Sequence, residues 1–381
     1  MKAQKKLLTA IALAAASLAA HADGIQFTVT DLGAASGTTT SQATGLSSSG
    51  NYALGRSLGT SGPGFVYSTA TGVRSDWTMP ATGNKYAATG SSFSGGGVNN
   101  FGLAVSTVGT TLSGGTLIPE MWSVSNPTLT ALALPAGYST GRAADVNDSG
   151  KAVGLVGSGA TQVGVIWNTA TNSVSVLSAT TADGAFMNQP NAINNAGLVV
   201  GTGLAGDGVT KVGLVYNSAT GVLTQLDAGS VGSGGVSVLG VSENGWVSGQ
   251  TGSTAWIWSA ASGFKTISSL VAGATTAPYG VNSSGWAVGK EGSNAFFYDG
   301  TSTTNLNSLL VANSGWNLTS TSSAAWSIAD NGSILVTGVA TSGGAVHALL
   351  LTAVPEPSTW ALMLGGIVAV GSVARRRSSK A

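Results

Sequence analysis

The nine residues VNDSGKAVG, Val146 to Gly154, return in variant form along the whole chain, and this recurrence restricts the fold more than any other feature. The other copies read LSSSGNYALG at Leu46, VNNFGLAVS at Val98, INNAGLVVG at Ile193, VSENGWVSG at Val241, VNSSGWAVG at Val281 and IADNGSILVTG at Ile328. Their central glycines, Gly50, Gly102, Gly150, Gly197, Gly245, Gly285 and Gly332, stand 52, 48, 47, 48, 40 and 47 residues apart. A period of that length is the mark of repeat architecture. The glycine has a local reason: a polar turn between two strands often needs one residue at positive φ, which only glycine adopts without steric cost. Asn and Asp beside it can hydrogen-bond the turn backbone.

Each turn is followed by a second signal, as in VGVIWNTATNSVSVL, VGLVYNSATGVLTQL and TAWIWSAASGFKTIS: a short apolar run ending in Tyr or Trp, a small-residue turn, and another run. Two hairpins per repeat make four strands, the content of one propeller blade, and seven such units predict a seven-bladed all-β propeller. A β-helix would suit the Gly/Ser/Thr content but needs a much shorter period. The seventh repeat supplies only three strands, ending with HALLLTA, while IQFTVTDLG (Ile25 to Gly33) precedes the first repeat and resembles a fourth strand. The expectation is that this N-terminal strand pairs into the last blade and closes the ring, leaving no open edge.

Both chain ends read as addresses. Lys2, Lys5 and Lys6 precede the apolar run Leu7 to Ala20, and Ala20-His21-Ala22 has the small-x-small form that signal peptidase cleaves, so residues 1–22 are expected to leave and the mature chain to start at Asp23. At the other end, Pro355-Glu356-Pro357 is followed by an apolar stretch from Trp360 to Ala374 and then by Arg375, Arg376 and Arg377. The stretch is slightly short for a membrane span, but the arginines favour the cytoplasmic side and Trp360 the opposite interface. These ordered features, within residues 354–381, resemble the PEP-CTERM sorting signal. The resemblance implies a transmembrane sorting helix processed by an exosortase, a transpeptidase-like membrane enzyme, in a Gram-negative bacterium that makes exopolysaccharide. Such tails also carry the name ice-binding-protein C-terminal domain, which implies no ice binding.

The body, 23–353, resembles the HAF-repeat family of extracellular proteins, through Asn294-Ala295-Phe296, His347-Ala348-Leu349 and Thr30-Asp31-Leu32-Gly33. That resemblance implies a propeller-like fold. Glycine occupies 57 positions, roughly twice the usual share, yet 43% of the chain is hydrophobic, which argues for a folded, turn-rich body over disorder. Eight Lys/Arg face thirteen Asp/Glu there, a net charge of −5, so no basic footprint for nucleic acid exists. With no cysteine, neither disulfides nor thiolate metal sites are available.

Catalytic groups are scarce. Once His21 leaves, His347 is the only imidazole, and it falls within an expected strand. Two segments spell a nucleophile elbow, GRSLG at Gly55 and GYSTG at Gly137, but about one such match arises by chance in a chain so rich in Gly and Ser, and neither sits at a strand-to-helix turn. Asp148, Glu243 and Asp330 fall in turn motifs, where solvated turn residues are the default, and no calcium-loop spacing occurs. Tyr67, Trp122, Trp167, Tyr216, Trp258 and Tyr298 recur at one repeat position and read as packing between blades. Trp246 and Trp286 each directly follow a motif glycine in neighbouring repeats, so they are candidates for stacking on a sugar ring, with blade packing as the plainer alternative.

The sequence therefore points to an exported, exosortase-sorted structural or binding propeller, without cofactor or metal, whose partners are its processing enzymes, signal peptidase and exosortase, and extracellular polysaccharide. A secreted glycan hydrolase or lyase, which would show carboxylates converging at one end of the channel, and a protein-binding adhesin are the alternatives.

Overall fold

The computed structural model describes residues 24–58, 62–77, 86–87, 96–109 and 116–354. The expected signal segment with its cleavage site, and the sorting tail from Pro355 onward, lie outside the described residues. Among the described residues no helix is long and apolar enough to cross a membrane.

Seven antiparallel sheets follow one another, six of them four-stranded with their strands in chain order and the seventh taking its outer strand from the start of the chain. Blade 1 comprises Thr40–Leu46, Tyr52–Leu58, Gly64–Ser68 and Val73–Asp76; blade 2, Tyr86–Ala87, Leu103–Gly109, Leu117–Ser123 and Thr130–Ala131; blade 3, Gly141–Val146, Lys151–Val156, Val163–Asn168 and Ser173–Val176. Blade 4 holds Phe186–Ile193, Leu198–Leu204, Lys211–Asn217 and Val222–Leu226; blade 5, Val236–Val241, Val247–Thr251, Thr254–Ser259 and Gly263–Thr266; blade 6, Thr276–Val281, Ala287–Glu291, Asn294–Tyr298 and Thr303–Asn305. Blade 7 is Ala324–Ile328, Ile334–Ala340 and Val346–Ala353, completed by Phe27–Asp31, with the two-residue strand Trp316–Asn317 as a fifth member on Ile334–Ala340. The first strands of blades 3 to 7 and 1 touch in succession, and in blade 2 the segment at Gly96 and Gly97 fills the gap between Gly45 and Asp145, so they ring a central channel.

Ring closure follows the expectation. Phe27–Asp31 pairs antiparallel with Val346–Ala353, from Phe27 opposite Ala353 to Asp31 opposite Leu349. His347 stitches the joint: its Nδ1 lies 2.9 Å from the Asp31 carboxylate and its Nε2 lies 3.1 Å from the Thr39 carbonyl, at the entry to blade 1. The only imidazole of the body is thus a closure residue.

Because each blade is a sheet with two apolar faces, the core is divided into seven clusters, one at each interface between neighbours. Trp167 and Trp256 are fully buried in two of them. The recurrent third-strand aromatics act as expected, each packing against the preceding blade: Trp122 joins the blade 1–2 cluster, Trp167 the blade 2–3 cluster and Tyr298 the blade 5–6 cluster. Sandwiching large apolar side chains between successive sheets gives the ring its stability without disulfides.

Candidate functional site in the central channel

The seven motif turns join the first and second strands of their blades and gather around one end of the channel. Each motif glycine has φ between 72° and 89°. Its N–H closes the turn on the carbonyl three residues back, as from Gly150 to Asn147 at 3.0 Å.

The Asn that precedes the glycine by three does two jobs. In blade 3, Asn147 Oδ1 accepts from the N–H groups of Ser149 and Lys151 in its own turn, while Nδ2 donates 3.0 Å to the Asn194 carbonyl of blade 4. Asn99 reaches Asn147, Asn194 reaches Ser242, and Asn282 reaches Ala329 in the same manner. Blades 1 and 5 carry Ser47 and Ser242 here, which still accept from their own turns but are too short to cross; at blade 5, Asn244 Nδ2 bridges to the Ser283 carbonyl instead.

One residue further on lies a second ring: Ser48, Asn100, Asp148, Asn195, Glu243, Ser283 and Asp330. Asp148 accepts from Asn100 N, Asn100 Nδ2 and Asn195 Nδ2 at 2.7–2.8 Å. Asp330 accepts from Ser283 N and Oγ, and Glu243 from Asn195 N. The recurrence in the sequence is therefore a circumferential latch, in which each turn is fastened to its neighbour.

A cavity of about 170 Å3 opens inside this ring, and all seven blades line it. The residue just before each motif faces inward: Gly45, Gly97, Asp145, Ala192, Gly240, Gly280 and Ser327. Six are small, since the first strands crowd together there; a Cβ at Gly280 would come within 2.9 Å of the Ser327 backbone. Asp145 is the exception. It fits because its neighbour is Gly97, where a Cβ would lie 2.0 Å from Asp145 Oδ1. Both Asp145 oxygens accept backbone N–H groups, from Val146 at 2.8 Å and Ile193 at 3.0 Å. Its side chain retains some contact with channel space, but the surrounding protein dominates: desolvation pushes its pKa up to about 7, aided by nearby Glu243 and opposed by the two N–H donors. Reading the motif alone missed Asp145; aligning the copies one residue earlier would have exposed it as the outlier in a small-residue column.

Asp145, Asp148, Glu243 and Asp330 thus converge at one end of the channel, the arrangement named above as the mark of a hydrolase or lyase. Their hydrogen bonds show what holds them there. Among the described residues no group of three His, Cys, Asp or Glu is placed to hold a metal.

Trp246 and Trp286 lie on this face, half-buried. Each follows its own turn glycine and reaches the next blade's: Trp246 is 3.3 Å from a Cβ position at Gly285, and Trp286 is 3.6 Å from that at Gly332. Lys265 Nζ sits 5.1 Å from the Trp246 ring, and Trp286 meets Phe297 edge-on at 5.5 Å. The structure gives both indoles a packing role across blade interfaces. Of the elbow-like serines, Ser57 is buried on a strand with Oγ bonded to Ala35 N and Arg74 Nη2, and Ser139 lies in the loop before blade 3.

Residues 353–378 match the PEP-CTERM protein-sorting motif. This is an exosortase sorting signal. It implies export and exosortase processing at a membrane-anchored C-terminal tail in a Gram-negative cell. No curated protein matches the chain. Among solved structures, a catalytically inactive virginiamycin B lyase from Staphylococcus aureus, in complex with quinupristin, aligns at TM-score 0.51 and 9% identity over 86% of this chain and 99% of that one. A streptogramin B lyase aligns at TM-score 0.49 and 9% identity, over 86% of this chain and 98% of that one. An oligogalacturonate lyase from Vibrio parahaemolyticus aligns at TM-score 0.49 and 10% identity, over 87% and 98%. At such identities the likeness shows the fold, a seven-bladed β-propeller, and nothing of the chemistry.

Proposed function

We propose that this exosortase substrate is a component of the outer envelope or extracellular matrix whose propeller is a structural and binding module, not an enzyme. The observation that supports this most directly is the engagement of the channel carboxylates. Asp148, Asp330 and Glu243 accept hydrogen bonds that fasten neighbouring turns, and Asp145 accepts two backbone N–H groups. A general acid or base has to present a carboxylate oxygen to the substrate, and a carboxylate committed to fastening turns is held away from that task. Here reorienting Asp148 or Asp330 toward a substrate would loosen the bonds between neighbouring turns.

The hydrolase reading rests on one group, Asp145, whose pKa of about 7 would suit a general acid. Co-sedimentation with the producing organism's extracellular polysaccharide, scoring both retention and new reducing ends, separates the two. Retention without cleavage is the expected result. Reducing ends that appear with the native protein and vanish in Asp145→Asn would make the protein an enzyme.

A further inference from the structure

The other end of the channel has a different chemistry. A cavity of about 350 Å3 lies between blades 6, 7 and 1, where the first strands begin, opposite the turn ring. Tyr279 and Trp326 are common to the linings of this cavity and of the one under the turns, so they form the partition between them. The two rings stack, with centroids 4.9 Å apart and planes at 11°. Trp326 is pinned by its Nε1–H, which donates 2.9 Å to Thr337 Oγ1. A preorganised, half-buried aromatic wall of this kind presents a flat apolar surface at little entropic cost.

One cation lines the cavity, and a second stands behind a lining residue. Lys290 lines the cavity and donates to the Thr321 carbonyl, and Arg56 holds the Oε1 of Gln42, another lining residue, through Nε at 3.1 Å and Nη2 at 2.6 Å. With its oxygen occupied, the Gln42 amide keeps its NH2 as a donor. Among the described residues the ion pairs are Arg74 with Asp76 and His347 with Asp31, and neither involves these cations. Burial lowers both pKa values. The cavity is thus a cationic, donor-rich pocket with an aromatic wall, whereas the opposite mouth is acidic.

We propose that this cavity binds an acidic saccharide, its sugar ring laid against the Tyr279–Trp326 wall and its carboxylate held by Lys290, with the Gln42 amide that Arg56 orients donating beside it. The pairing follows from complementarity: an ammonium group without a counter-ion selects an anion, and an aromatic wall beside amide and hydroxyl donors suits a pyranose. The proposal rests on the matrix-binding reading and names the polymer chemistry it would recognise.

The test is calorimetric titration of the secreted protein with a glucuronic acid oligomer, with the matching neutral glucose oligomer and free acetate as controls. The acidic oligomer should bind at least about tenfold more tightly than the neutral one and be displaced by salt, while acetate should not compete. Lys290→Gln, whose charge is at the protein surface, should weaken binding about tenfold with an unchanged unfolding midpoint; Tyr279→Ala should weaken it similarly. Equal binding of neutral and acidic oligomers, full competition by acetate, no binding, or binding unmoved by Lys290→Gln would overturn the site. If Tyr279→Ala does not fold, Lys290→Gln decides alone. Retention of the native polysaccharide that is unchanged by Lys290→Gln would sink this cavity while leaving the matrix reading intact; absence of retention by the native protein would sink that reading.

Discussion

Asn147 of blade 3 donates its side-chain amide to the carbonyl of Asn194 in blade 4, the residue that occupies the same place one repeat later, across 3.0 Å. Both groups are buried, and the Asn147 amide oxygen simultaneously holds its own turn. Replacing Asn147 by Ala should cost about 2–3 kcal/mol in urea unfolding, because it strands a buried carbonyl and two turn N–H groups. Blades 1 and 5 supply the control: Asn147→Ser should keep the turn bond, lose only the bridge, and cost about 1 kcal/mol. Equal losses for Ala and Ser would mean that the turn bond contributes nothing.

Asp145 makes stability depend on pH. Its folded pKa, about 7, lies above the ordinary value of 3.8, so the folded state holds the proton more tightly than the unfolded chain. The resulting stability is complete below about pH 4 and is lost as pH rises through 7, by an amount on the order of a few kcal/mol. Asp145→Asn should flatten the unfolding free energy between pH 4 and 7. The variant should be less stable than the native protein at pH 4 by about 1 kcal/mol, since its NH2 cannot accept both backbone N–H groups, and should overtake the native protein before pH 7 as the native protein loses its larger contribution. An unchanged slope would place the titration elsewhere.

How much of this could be read from the sequence depended on whether a demand was local. Gly150 and its counterparts are legible because the left-handed turn conformation excludes other residues in every copy, and spacing then counts the blades. Asn147 was legible as a turn residue but not as a bridge, because its second partner is 47 residues away and becomes adjacent only when blades are stacked. The stack of Tyr279 on Trp326 was hidden for the same reason, though both stand two residues before a motif. Asp145 escaped notice because it belongs to the strand before the turn, where a register irregularity between Ala143 and Asp145 turns it into the channel.

Ring closure predicts that a residue near the start of the chain behaves as core. Phe27 is fully buried at the blade 6–7 interface, edge-on to Phe297 at 6.1 Å, although its strand partner Ala353 is more than three hundred residues distant. Phe27→Ala should cost about 3–4 kcal/mol, as for an interior phenylalanine. Deleting residues 24–31 should go further, uncovering the edge of Val346–Ala353 and shifting the protein to larger species than the native one on gel filtration. A deletion variant that elutes like the native protein with an unchanged unfolding midpoint would show that the ring does not need its closing strand.

The indole of Trp286 covers Gly332 of the next blade just as Trp246 covers Gly285, and Gly285 is bonded directly to Trp286. The two side chains are therefore consecutive tiles, and loosening the first should loosen the seat of the second. Each Trp→Ala change should cost about 2 kcal/mol, less than for a fully buried tryptophan because both are half-exposed. In a double-mutant cycle the pair should depart from additivity by more than about 0.5 kcal/mol, the range found for independent sites. Additive losses would mean that the tiles act separately. Polysaccharide retention, measured on the same variants, addresses sugar stacking: it should be unchanged in whichever single variant remains folded, since the packing contacts account for both positions. A fall in retention with an unchanged unfolding midpoint would instead assign the exposed indole faces to a ligand.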